Sequence, residues 1–406
     1  MQRTWRVWKL GLVAAQLIVI AVSLYQTAIS TLGYRRRQRG IPEHLPESLP
    51  RFGLLVCARN EEPVIARIVA DLLAQDYPAE LRDVLVVAHN CTDATASVAA
   101  RAGAIVLEVN TPHAGKSFAV QAGAERFEDY DYLGVFDADA RVAPGLLAAI
   151  ARHSGGAECL QAEAVPIADA DWLAEGYGFG RKARNVFWWR PREALGLTTT
   201  ITGSGWFIRP ALLAGYRSGQ WTMTEDLELT ARLVADGHMV RYVSAAQVAL
   251  GEPRDLRTSV NQRSRWVRGH IGVVKGRWHP LAAAALRGNP HARDLAIYLL
   301  LPTRMLTRLG VTVAGALALF SAPFALPGWI VLPALAGEWV VPAWIAWRER
   351  LLRLSSGSFS LAARYTLLSL LWFPIGAWAM ITARVRAWTP TPRSQPEGAA
   401  NAGQAS

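Results

Sequence analysis

Tyr132-Leu133-Gly134-Val135-Phe136-Asp137-Ala138-Asp139 is the stretch on which the reading of this chain turns. Its first five residues are uncharged, apolar and bounded by polar sequence, the composition of a short strand buried on both faces. Two carboxylates follow at once. Residues two apart on extended backbone project to the same side, so Asp137 and Asp139 are expected to face one cation. Two carboxylates completed by diphosphate oxygens form the oxygen shell that Mg²⁺ or Mn²⁺ accepts. Such an ion would offset the charge growing on a nucleotide diphosphate leaving group. Read alone, Asp-x-Asp is also the composition of a solvated turn; its position directly after a buried strand argues for a site.

The same pattern extends toward the N-terminus. Phe52–Cys57, Val84–Ala88 and Ala104–Glu108 are further short apolar runs, and Pro63–Gln75, Asp93–Gly103 and Ser117–Phe127 carry helical spacing between them. This alternation predicts an α/β fold, a mainly parallel sheet flanked by helices. Ligands of such sheets bind beyond the carboxyl ends of the strands, where the chemistry-bearing residues of this chain also fall. Gly115-Lys116 precedes a helix and is placed to reach a phosphate, and Gly203-Ser204-Gly205 leads into a later strand.

Toward the C-terminus, Thr224-Glu225-Asp226 opens the helical pattern Leu227–Ala235. The trio suits a helix cap with acids in the first turn. It equally suits a carboxylate general base that takes the proton of an acceptor hydroxyl. In Gln262-Arg263-Ser264-Arg265-Trp266, the residues Gln262, Arg265 and Trp266 fall at i, i+3 and i+4 and share a helix face. There Arg265 could grip a diphosphate through two hydrogen bonds, and Trp266 offers a flat surface to a sugar ring. The composition also fits an amphipathic helix at a membrane interface. His89, His113 and His270 show no ligand spacing and read as ordinary polar histidines, while Phe187-Trp188-Trp189 reads as core or membrane-contacting surface.

The chain has 406 residues, 51% of them hydrophobic, and a formal charge of +11. No RNP motif, zinc-finger spacing or basic heptad accompanies that charge, so no nucleic acid is expected. Much of the arginine instead flanks apolar segments, as at cytoplasmic membrane edges. Leu10–Leu32 is long enough to span a bilayer and too long for a signal-peptide core. Arg35, Arg36, Arg37 and Arg39 follow it, against Arg3, Arg6 and Lys9 before it, which places the N-terminus outside and the central domain in the cytosol. Leu309–Leu326, Trp329–Trp347 and Tyr365–Ala383 are further candidate spans, and Asp294–Arg308, with Arg304 and Arg308, reads as an interfacial amphipathic helix. Arg384 and Arg386 oppose an outside C-terminus. The expected divisions are an anchor (1–34), a basic, proline-rich tether (35–51), a cytosolic domain (52–272), an interfacial region (273–308), C-terminal membrane helices (309–388) and a tail (389–406). Cys57, Cys91 and Cys159 form no CxxC pair and read as small buried hydrophobes in a reducing compartment.

Taken in order, these motifs resemble those of family 2 glycosyltransferases, membrane synthase branch, which includes chitooligosaccharide, hyaluronan and cellulose synthases. The resemblance covers about Arg51 to His270. It rests on the opening strand Leu54 to Glu62, on Asn90-Cys91-Thr92-Asp93-Ala94-Thr95, on Gly115-Lys116, and on sequences similar to the family's DxD, TED and QxxRW. It implies a GT-A fold, Mg²⁺ or Mn²⁺ held by Asp137 and Asp139, Asp226 as base of an inverting single displacement, and nucleotide binding by Ala58, Glu61, Asp93 and Lys116. Glu225, Gln262, Arg265 and Trp266 would then line the acceptor and diphosphate site. The chain departs from the family at Ala88-His89, where an acid commonly helps to hold the nucleotide base, and at Cys57, where proline is usual. The function this implies is transfer of a sugar from a nucleotide-sugar, UDP-linked by the family's habit, to a growing glycan at the inner membrane. Addition of a single sugar to a lipid is the alternative within the enzyme class, and a catalytically degenerate membrane scaffold or transport protein the one outside it. Intact Asp137, Asp139 and Asp226 argue against degeneration.

Overall fold

The computed structural model describes residues 2–36, 44–112, 115–169, 171–216, 222–300, 304–320, 324–351 and 356–382. Arg37, Arg39, the first part of the tether, His113, Arg384, Arg386 and the 389–406 tail lie outside the described residues.

The four apolar runs form strands close to their expected bounds: β1 (Phe52–Ala58), β2 (Arg82–His89), β3 (Ile105–Val109) and β4 (Tyr132–Asp137). They continue into a sheet with β5 (Arg141–Val142), β6 (Cys159–Pro166), β7 (Trp206–Ile208) and β8 (Val240–Leu250), in the order β3-β2-β1-β4-β7-β6-β8-β5. The block β3-β2-β1-β4 is parallel throughout. Beyond β4 the sheet becomes mixed, because β7 runs antiparallel to both β4 and β6.

Alternation along the strands explains why both faces are covered. Leu54, Val56, Val84, Val86 and Phe136 pack on one side beneath Ile65, Ile68, Val69 and Leu72 of helix Ile65–Leu73. Leu55, Leu85, Val87, Leu133 and Val135 pack on the other against Ala119, Val120 and Ala124 of helix Lys116–Ala124. A strand buried on both faces reads as a continuous apolar run. Register then decides where the site lies: Ala58 pairs with Ala88 and Cys57 with Asp137, so the ends of β1, β2 and β4 share one edge.

The C-terminal third departs further from expectation. Helix Leu256–Leu286 runs unbroken across the expected 272/273 division. It packs through Val273, Leu281 and Ala284 on Leu227, Ala231 and Val234, and on Leu295 and Leu299 of helix Pro290–Leu300. Of the expected interfacial segment Asp294–Arg308, Asp294 belongs to helix Pro290–Leu300 and Arg308 to helix Arg304–Leu319, and residues 301–303 lie outside the described residues. Among the described residues, two helices are long and apolar enough to cross a membrane, Trp8–Arg36 and Gly328–Arg348. The expected span Leu309–Leu326 stops at Leu319, ahead of Pro323 and Pro327. The expected span Tyr365–Ala383 breaks at Leu371, just before Pro374, whose ring and missing N–H disfavour a continuous helix. The long N-terminal helix packs through Ile20 on Val311, Ala314, Val331 and Ala334. It also reaches the α/β domain, where Ser30 Oγ donates to Phe187 O at 2.7 Å and Tyr25 Oη to Asp294 Oδ1 at 3.0 Å.

Candidate active site

The shared strand edge opens onto a cavity of about 2820 Å³, and this cavity gathers most of the residues singled out from the sequence. Ala58, Glu61, Lys116, Asp137, Asp139, Glu225, Asp226, Gln262, Arg265 and Trp266 all line it. Asp93 does not. It is exposed, and its carboxylate accepts hydrogen bonds from the backbone of Glu62 (3.2 Å) and Thr95 (3.0 Å), which fixes the β1 and β2 loops to one another. Burial works against the carboxylate, but the Thr95 hydroxyl and these backbone hydrogen bonds outweigh it and hold its pKa below the ordinary carboxylate value.

Asp137 closes β4, but Ala138 and Asp139 already turn, with Ala140 N donating to Asp137 O at 3.2 Å. The two carboxylates thus reach the cavity from a strand end and a tight turn, not from one extended segment as expected. The turn follows from partners at Asp137: Ser204 Oγ accepts from its backbone N–H at 3.1 Å, and Lys116 Nζ donates to its Oδ1 at 2.6 Å. Lys116 was expected on a phosphate; it is held by Asp137 and by the carbonyl of Gly203. Burial works against its ammonium, but Asp137 prevails and keeps its pKa above the ordinary value.

Gly203 is the joint of the site. Its φ of +75° is a left-handed conformation that favours glycine. A methyl placed there would sit 3.8 Å from both Asp137 Oδ2 and Asp226 Oδ2. The candidate metal ligand and the candidate base therefore converge on one backbone position.

Thr224-Glu225-Asp226 begins helix Glu225–Ala235, as predicted, though Thr224 caps by position only and its Oγ1 is buried without a hydrogen-bond partner. Asp226 Oδ1 accepts from Leu227 N at 2.8 Å. Glu225 and Asp226 keep some contact with the cavity but are surrounded by protein, and burial raises the pKa of both. Lys116 opposes the rise at each, and Arg265 opposes it at Glu225. A carboxylate raised in this way holds a proton better than a solvated one, which suits a general base.

The loop before Asp226 is braced by residues that no motif signalled. Glu228, buried, accepts from Thr222 N at 2.6 Å and from Arg277 Nη2 at 2.9 Å. Gly269 lets helix Leu256–Leu286 approach so closely that a methyl on it would meet Thr224 Cγ2 at 2.5 Å. His89, read from the sequence as an ordinary polar histidine, is buried at the end of β2 and lines the cavity. Of the cysteines only Cys159 is a core residue. Cys57 and Cys91 are half-buried; Cys57 lines the cavity, and burial raises its thiol to about 12. Trp188 and Trp189 are buried against Tyr242 and Tyr298, which settles the aromatic cluster as core that also forms cavity wall.

Among the described residues no group of three or more His, Cys, Asp or Glu side chains could hold a metal alone. Asp137 and Asp139 beside an open cavity still fit Mg²⁺ or Mn²⁺, which use one or two carboxylates with phosphate oxygens and water.

Comparison with known proteins agrees with this geometry. Beta-monoglucosyldiacylglycerol synthase of Synechocystis is 29% identical over 265 residues, 60% of this chain and 54% of that protein. The Nostoc protein of the same name is 28% identical over 249 residues, 57% of this chain and 52% of its own length. The chain thus spans about half the length of these curated relatives. The solved mannosyltransferase PcManGT from Pyrobaculum calidifontis superposes with a TM-score of 0.52 at 19% identity, over 87% of this chain and 99% of that one, and so shares the fold. The model of "Glycosyltransferase like family 2" matches residues 50–269, more than half of the sequence, and this chain belongs to that family.

Proposed function

We propose that the protein is a membrane-bound hexosyltransferase that moves one sugar from a nucleoside diphosphate sugar to the hydroxyl of a lipid acceptor. One observation carries the reading: the cavity that holds Asp137 and Asp226 continues past Trp266 to Trp372, Phe373 and Met380 of the apolar C-terminal helices. A water-soluble acceptor has no need of such a wall, and a lipid hydroxyl needs one to reach Asp226. The names of the Synechocystis and Nostoc relatives point to the same acceptor class. Glycan elongation, the leading expectation from the sequence, keeps Gln262 and Trp266 in its favour, since both line the cavity.

In this reading the acceptor oxygen attacks the anomeric carbon as the bond to the diphosphate breaks, and Asp226 takes the hydroxyl proton. Arg265 grips the departing diphosphate with the planar fork that suits it. Lys116 fixes Asp137 in place. A divalent cation, Mg²⁺ or Mn²⁺, bound by Asp137 and Asp139 would supply further charge stabilisation to the leaving group. Trp8–Arg36 and Gly328–Arg348 would anchor the domain at the inner membrane with the site toward the cytoplasm.

The test is the full chain in neutral micelles, offered a panel of nucleotide-sugars with diacylglycerol, phosphatidylglycerol or oligosaccharides, with products sized by mass spectrometry. One hexose on the lipid is the expected product. A ladder of sugars would favour elongation, and no transfer to any acceptor would sink the proposal.

A further inference from the structure

Two arginines of this protein are almost fully buried, and they are satisfied in opposite ways. Arg192, 2% exposed, is clamped by Asp294, its Nε on Oδ2 at 2.7 Å and its Nη2 on Oδ1 at 3.0 Å. Arg263, 5% exposed, forms no ion pair among the described residues. Its Nη1 donates to Ser259 Oγ, and its guanidinium lies 3.6 Å from the ring centre of Tyr177, 5.6 Å from that of Trp372 and 5.9 Å from that of Trp266. Its Nε is buried with no hydrogen-bond partner. Stacking on aromatic rings offsets only part of what it costs to bury an ion. The surroundings deepen the deficit: Arg181 and Arg184 add positive charge, and Glu252 is already held by Arg181 at 2.5 Å. Arg263 is short of an anion.

Arg265 does not share its task. Residues two apart on a helix point about 200° away from each other, so Arg263 and Arg265 cannot grip the same diphosphate. Arg265 acts on Glu225, whereas Arg263 faces Tyr177 and Trp372, on the helices that wall the far end of the cavity. Arg184 lines this end too and makes no hydrogen bond or ion pair among the described residues. Next to it Phe373, Ala377 and Met380, at i, i+4 and i+7, line the cavity as one apolar stripe.

We propose that this end of the cavity binds a phosphate-bearing lipid, with Arg263 and Arg184 on the phosphate oxygens and the acyl chains along Phe373, Ala377 and Met380. The proposal rests on the lipid-acceptor reading above and narrows it: the acceptor hydroxyl belongs to a phospholipid headgroup, not to a neutral diacylglycerol. The apolar stripe separates a lipid phosphate from a free one, which would have no use for it.

The experiment uses the full chain in neutral polyoxyethylene micelles. Binding of phosphatidylglycerol, diacylglycerol and glycerol 3-phosphate is measured by native mass spectrometry, and transfer to each is assayed alongside. Wild type should prefer phosphatidylglycerol over diacylglycerol by about tenfold or more, the worth of one charge-assisted contact. Arg263→Met should remove that preference, Arg263→Lys should keep part of it, and nucleoside diphosphate binding should be unchanged in both. Equal binding of the two lipids by wild type would overturn the proposal, and this comparison stands even if a variant fails to fold. Loss of lipid and nucleotide binding together in Arg263→Met would assign Arg263 to packing and overturn it as well. Glycerol 3-phosphate binding as tightly as the lipid would overturn the lipid source. Transfer to diacylglycerol without preference leaves the proposed function standing and removes this inference. Absence of transfer to any acceptor removes the proposed function, while the binding ratio still judges the phosphate site.

Discussion

The cavity holds charged side chains at both ends, but they are arranged differently. At the sheet edge Lys116 is saturated by Asp137 and Gly203 O, and the Asp137 and Asp226 carboxylates converge on Gly203. At the far end Arg263 faces aromatic rings and, with the exposed Arg184 nearby, forms no ion pair among the described residues. The first end is assembled by the protein's own opposite charges and exists before any ligand arrives. The second leaves positive charge uncompensated and is completed from outside. Preorganisation at the reacting centre lowers a barrier, while an uncompensated charge selects a ligand.

The sharpest way to break this contrast is to disarm the preassembled end. Asp226→Asn leaves a side chain that cannot accept a proton and should lower turnover about 10²–10⁴-fold. Asp139→Asn should be comparably severe, and chelation should stop the reaction until Mg²⁺ or Mn²⁺ is restored, with Zn²⁺ ineffective at an all-oxygen site. Steady-state rates on protein whose thermal melt matches wild type decide each case. Near-normal turnover in either variant would strip that residue of its role.

Next in size is a stability test of the two buried arginines. Asp294→Ala leaves Arg192 charged in the interior with Trp188 but without its carboxylate and should cost about 3–5 kcal/mol in denaturant unfolding. Arg263→Met removes a charge that has no partner to orphan, so it should cost far less and could stabilise the fold. Equal losses would mean that Arg263 is held by packing as Arg192 is held by its acid. Arg265→Lys should cost about 3 kcal/mol of transition-state stabilisation, roughly a hundredfold in rate, because lysine lacks the two-point fork. A wild-type rate would return the Gln262–Trp266 face to a plain interfacial helix.

The sheet-edge end was legible in the sequence because it is local. Each strand carries its own apolar run, each loop its own short motif, and register places Ala58, Ala88 and Asp137 together once the strands pair. What the sequence does not show there is a partner far along the chain. Lys116 meets Asp137 across 21 residues and Gly203 across 87, and no spacing rule connects them. The far end was hardly legible. Arg263 shares a motif with Arg265, yet its surroundings come from Tyr177 and Trp372, 86 and 109 residues away. Hydropathy saw the apolar C-terminus but not where it breaks. Pro374 lies inside the run Tyr365–Ala383, and apolar composition carries no sign of the ring and missing N–H that interrupt a helix there.

The two ends are joined by helix Leu256–Leu286, and its glycines give the smallest but most local test of that joint. Gly269 lies against the Thr224 side chain, with 2.5 Å between an added Cβ and Cγ2. Gly272, one turn further on, lies against Thr222 with 3.2 Å for the same contact. Gly269→Ala must therefore push Thr224 or the helix aside, and overpacking of this kind costs about 1–3 kcal/mol. Gly272→Ala asks for a shift of only a few tenths of an ångström and should cost less. Either alanine also favours the helical backbone over glycine by about 1 kcal/mol, which works against the loss. The displacement at Gly269 falls on the residue two before Asp226, at the start of its helix. Gly269→Ala should therefore lower kcat by more than its loss of stability accounts for, with nucleotide binding retained, whereas Gly272→Ala should be near wild type in both. If both variants lost activity only in proportion to stability, the helix would be a support for the domain and not a link between the acceptor end and the base.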